Sequence, residues 1–139
     1  MKRDAILIRL HRNHVDEKRR VLADLERMRD TLVAQTEALE EEIRSEQEIA
    51  ASSFEAGARY GAYAALAVTR RETVKRSIEE VDGKIADAKD EVLEAFRTLK
   101  KHEVARDLRL YQERKAADQR EQDRLDDIAL NNHRRRDAN

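Results

Sequence analysis

The side chains of this chain best suited to chemistry are its histidines and its adjacent acids. His11 and His14 stand three residues apart, so on a helix both imidazoles fall on one face and could in principle hold a metal ion. No carboxylate completes an Asp/Glu-x-x-His arrangement at either one, and a zinc site needs three or four ligands. Asp126 and Asp127 are consecutive, hence point to different sides of a helix, with no pocket to shift their protonation toward general acid–base work. There is no cysteine to act as a thiolate, no glycine-rich phosphate loop, and no nucleophile with a base in reach. The sequence therefore predicts no catalysis, no metal and no cofactor. Its chemistry must be that of surfaces.

Composition narrows what those surfaces can be built on. Charged residues make up 42% of the chain and aromatics 4%, and there is neither Trp nor Pro, too little bulky apolar material for a thick core. Strong helix formers dominate, and no proline interrupts them. The 29 basic and 30 acidic residues nearly cancel, so no global field points to nucleic acid or membrane. The absence of cysteine suits an intracellular protein. The opening residues, MKRDAILIRLHR, hold an apolar run too short for a signal peptide, and no stretch approaches the ~20 apolar residues of a membrane span. A soluble, cytoplasmic, all-α protein is expected.

Apolar spacing assigns the helices. Ile8, Val15, Leu22, Leu25, Leu32, Leu39 and Ile43 form one heptad stripe, and Ile78, Val81, Ile85, Ala88, Val92, Phe96 and Leu99 a second. Asp4 is the expected N-cap of the first helix. The residues between, ASSFEAGARYGAYAALAVT, carry only two charges, Glu55 and Arg59. Gly57 and Gly61 there suit a tight turn, although the flanking alanines could equally let a helix run through them. The expected fold is an elongated antiparallel two-helix coiled-coil hairpin forming a single domain over residues 1–139. Its first arm covers about 4–52, its apex about 52–62 and its longer second arm about 62–131, and a frayed basic tail follows over 132–139. A turn near residue 59 would bring Leu22 to Phe96, Leu25 to Val92 and Leu32 to Ile85. It would also set the acidic run EALEEEIRSEQE (37–48) against Arg70, Arg71, Lys75 and Arg76, a complementarity that fixes coiled-coil orientation. Such a hairpin is expected to be a monomer when isolated.

Two surfaces on that hairpin are candidates for partners. At its open end Arg9, Arg12, Lys18, Arg19 and Arg20 would lie beside Lys100, Lys101, Arg106 and Arg109. Like charges across a seam cost stability, so either a partner supplies the counter-charge or the flank is simply solvated. Nucleic acid is disfavoured, because Asp16, Glu17, Glu103 and Asp107 interrupt the basic residues and no aromatic platform accompanies them. At the tip Phe54, Tyr60, Tyr63 and Leu66 cannot all be core in a two-helix structure. They form either a docking patch or the packing of the turn.

The run VLEAFRTLKKHEVARDLRLYQERKAADQREQDRLDDIAL resembles the C-terminal helix of the FliJ family, hairpin proteins of the flagellar export apparatus. The matching positions are Phe96, Lys100, Lys101, Gln122, Leu125, Asp126, Asp127, Ile128 and Ala129. The first arm agrees in length and periodicity but carries no sharp motif. The segment before the second arm is richer in Ala and Tyr than the polar apex of the family. The resemblance implies a non-enzymatic component of bacterial type III export that is similar to the central stalk of rotary ATPases. It implies binding to the hexameric export ATPase through Arg12, Lys18, Arg19, Arg20, Lys100, Lys101 and Arg106. It also implies docking of the export gate's cytoplasmic domain, or of export chaperones, at Phe54, Tyr60, Tyr63 and Leu66. Such a protein sits in the cytoplasm, peripheral to the inner membrane only through these partners. The rival reading is a generic coiled-coil scaffold or oligomerisation adaptor without an ATPase partner. A stalk subunit of a proton- or sodium-driven ATPase is disfavoured by the small size.

Overall fold

The computed structural model describes residues 2–139. They form two long helices in contact, α1 over Lys2–Ala50 and α2 over Phe54–Asp137, and no strand occurs among them. Two compact units divide the chain: a central one, Asn13–Phe96, and a terminal one built from Arg97–Asn139 and the α1 residues up to Arg12.

The central unit holds most of the buried seam: Val15, Leu39 and Ile43 from α1, and Ala67, Val81, Ile85, Ala88 and Ala95 from α2. Leu22, Leu25 and Leu32 are half-buried, so the first stripe falls where its spacing directs. The second stripe changes at its end. Phe96 is 38% exposed while Ala95 is buried, because alternating steps of four and three from Val81 through Val92 lead to residue 95 and then 99. Two ion pairs in this unit report the register. Lys18 Nζ lies 3.2 Å from Glu91 Oε2, and Arg29 Nε lies 2.6 Å from Asp82 Oδ1. These pairs set Leu22 near Ala88, some eight residues from the expected Phe96.

The shift follows from where the chain turns. Only Ala51, Ser52 and Ser53 lie between the helices, upstream of both glycines and at the edge of the expected apex. Neither the glycines nor any other described residue takes a positive φ. The serines do the work instead. Ser52 Oγ donates to the Ile49 carbonyl at 2.6 Å, taking up an acceptor that α1 leaves without an intrahelical partner. Ser53 caps α2: its Oγ accepts the Ala56 N–H at 3.1 Å, and its carbonyl accepts the Gly57 N–H at 3.1 Å. Glu55 in the first turn of α2 complements the helix dipole. Gly57 has a different use from a turn: a Cβ there would meet the Ala50 carbonyl oxygen at 3.3 Å. Its missing side chain lets the end of α1 pass close to the start of α2.

In the terminal unit Ile8 and Leu99 are buried. Asp4 is not an N-cap, since α1 already includes Lys2. Its carboxylate instead bonds the Arg109 guanidinium on α2. The expected frayed tail is helical through Asp137. Arg134, Arg135 and Arg136 occupy the last turn, where positive charge offsets the dipole, and His133 Nε2 lies 3.4 Å from Asp137 Oδ2.

Candidate partner-binding surfaces

The seven basic candidates divide between the two units. In the central unit Lys18 pairs with Glu91, while Arg19 and Arg20 are exposed and have no ion pair among the described residues. In the terminal unit Arg12 Nη2 lies 3.7 Å from Glu103 Oε1, and Lys100 Nζ lies 3.5 Å from the other oxygen of the same carboxylate. Arg106 pairs with Asp107 at 3.1 Å, and Lys101 is exposed. Glu103, only 18% exposed, therefore bridges the two helices of its unit. Four of the seven candidates thus have a carboxylate partner within the chain. The register expected from the sequence would have set Lys18 against Lys100; the observed one gives Lys18 a glutamate. Arg19, Arg20 and Lys101 remain as cations directed to solvent.

The terminal unit also contains a contact that the sequence did not suggest. The imidazoles of His11 and His102 stack with centroids 4.4 Å apart and planes inclined by 11°. His14 does not join them; its Nδ1 lies 3.9 Å from Glu17 Oε2. Among the described residues no group of three or more His, Cys, Asp or Glu side chains is arranged to hold a metal ion. A register nearer the observed one would have paired residues 11 and 102 and exposed this signal.

At the tip the four candidates separate into two kinds. Tyr63 packs against the cluster of Leu39, Ile43 and Ala67, and its ring lies 6.1 Å from that of Tyr60. The Tyr63 hydroxyl is enclosed, with the Glu42 carboxylate near it. Burial first, and then the Glu42 and Glu46 carboxylates, raise its pKa above that of an ordinary phenol, so it stays protonated. Both tyrosines line a groove of about 240 Å³ with Glu46, Ile49 and Arg59. Phe54 and Leu66, by contrast, are 94% and 62% exposed. Packing of the turn accounts for Tyr63, and Phe54 and Leu66 are left as apolar side chains in water.

A more apolar groove of about 410 Å³ lies one step further along the same unit, lined by Ala38, Leu39, Glu42, Arg70 and Val74. Glu42 and Arg70 belong to the acidic and basic runs expected to face each other. Among the described residues no helix is long and apolar enough to cross a membrane. The described residues thus form two long helices in contact, with Phe54 and Leu66 exposed near the connection between them. Compared with protein-family models, with curated proteins and with solved structures, the chain shows no match.

Proposed function

We propose that this chain is a non-enzymatic component of a flagellar, type III export apparatus, an antiparallel coiled-coil hairpin that couples the export ATPase to the export gate. The hairpin reading is supported within each unit. In the central unit positions 18 and 29 of α1 pair with 91 and 82 of α2, and in the terminal unit positions 4 and 12 pair with 109 and 103. The observation that carries the functional reading is the run from Phe96 to Ala129 that resembles the FliJ family. All nine of its matching residues are exposed on one uninterrupted helix.

In this reading the hexameric ATPase is contacted by Arg19 and Arg20 in the central unit, beside Lys18, and by Lys101 in the terminal unit, where Arg12, Lys100 and Arg106 are the further candidates. Phe54 and Leu66 dock the gate's cytoplasmic domain or an export chaperone, with Tyr60 and Tyr63 shaping the surface beneath. The protein works in the bacterial cytoplasm and reaches the inner membrane only through these partners. Capture of the intact chain from its native cells should recover the ATPase, and the Arg19→Glu, Arg20→Glu, Lys101→Glu variant should lose it at unchanged helicity. Contact through exposed charges should also weaken with added salt. Recovery of no ATPase by the native chain would overturn this reading in favour of a scaffold.

A further inference from the structure

From Asp107 to Asp137 every residue of α2 is exposed, yet the segment is not uniformly polar. Val104, Leu108 and Tyr111, exposed at 63%, 54% and 61%, share one face of the helix. Continued at steps of three and four, that face runs through Lys115, Asp118 and Gln122 to Leu125 and Ala129. At 100° per residue Leu99 and Arg106 lie roughly 130–150° round α2 from this face, and Glu103, which pairs with Arg12 of α1, lies about a quarter turn away. A second helix could therefore run along it without meeting α1.

The pattern reads the same in reverse. We propose that this face pairs antiparallel with the same face of a second copy of the chain. Leu108 of each copy then packs against Leu125 of the other, and Tyr111 covers Gln122. The two central layers set Lys115 against Asp118, and beside them Arg114 of each copy approaches Glu121 of the other. Charge complementarity selects this occupant and this orientation. A parallel pair would stack Lys115 on Lys115 and Asp118 on Asp118, like charges in the seam. The charges concerned are also available. Neighbouring side chains satisfy one another along the helix, as in Gln119–Asp123, Gln122–Asp126 and Arg124–Glu121. Arg114, Lys115 and Asp118 have no such partner among the described residues. Self-pairing replaces the isolated monomer expected from the sequence and is independent of the proposed export role.

Sedimentation equilibrium of the intact chain, from about 1 to 200 μM, tests the idea. The expected result is a reversible dimer. Lys115→Asp alone and Asp118→Lys alone should each lower the association constant by about tenfold or more, since each sets like charges together twice. The double variant Lys115→Asp, Asp118→Lys should return it to within about threefold of the native value, because the swapped charges attract again only in the antiparallel pairing. Spin labels at position 116 should approach each other across the dimer. Labels at position 129 should sit roughly 37 Å apart, from the 1.5 Å rise over the 25 residues to position 104 opposite. A chain that stays monomeric throughout this range, or a double variant no better than the singles, would overturn the proposal and leave the face to an unrelated helix.

Discussion

Two stretches of α2 are similarly rich in charged residues and have opposite environments. Between Val81 and Ala95 the heptad positions Val81, Ile85, Ala88 and Ala95 are buried and Val92 is half-buried. From Leu108 to Leu130 no residue is buried, and Leu108, Tyr111, Leu125 and Ile128 all face water. The first stretch owes its helical state to tertiary packing, the usual source of helix stability. The second relies on helix-forming residues, on side-chain pairs one turn apart worth about 0.2–0.5 kcal/mol each, and on the arginines at its last turn. One helix therefore obeys two different sets of forces along its length, and a substitution tells which set governs its position.

The largest expected contrast is between Ile85→Ala and Leu125→Ala. Ile85 is 8% exposed, and truncating it should cost about 2–4 kcal/mol in urea unfolding. Leu125→Ala should cost less than about 0.5 kcal/mol when measured at concentrations too low for self-association. Equal losses would mean that the distal stretch is packed after all. A smaller effect, about 1 kcal/mol, is expected from Ser53→Ala, which removes the acceptor for the Ala56 N–H and should lower Tm without changing either seam. The finest test compares two glycines. Gly61→Ala adds a methyl group into open space and should stabilise the chain by roughly 0.5–1 kcal/mol through helix propensity. Gly57→Ala should gain distinctly less, because its new methyl group meets the Ala50 carbonyl oxygen. Equal gains would show that the end of α1 yields freely there.

The stripes were legible in sequence because branched residues at heptad spacing leave little choice, and Ile8, Val15, Leu39, Ile43, Val81, Ile85 and Leu99 are all buried. Ala67 was not, since nothing distinguishes it by type from Ala62, Ala64 or Ala65 until a neighbour covers it. The turn was misplaced for a related reason. Glycine advertises a left-handed turn, whereas here two serines manage the reversal through side-chain hydrogen bonds. That error of a few residues carried Lys18 toward Lys100, and the like charges at the open end then looked like a site awaiting a partner. Such a conflict can equally mark a register in need of adjustment, and the Lys18–Glu91 pair shows the adjustment made. At the tip, hydrophobicity alone could not divide Tyr63, which packs, from Phe54, which does not.

The three-residue connection has a further consequence, for the order of events as the chain is made. Ion-paired partners are separated by 53 residues at Arg29–Asp82 and 73 at Lys18–Glu91, so each contact further from Ser52 and Ser53 encloses a longer loop. The entropic cost of enclosing a longer loop rises slowly, by about 0.6 kcal/mol per doubling, and contacts next to the connection form with the least loss of freedom. At roughly 5–20 residues per second of synthesis, α1 is complete well before Ala67 arrives to meet Leu39 and Ile43. In the terminal unit the separation is larger still: Asp4 can meet Arg109 only after 105 further residues have been added.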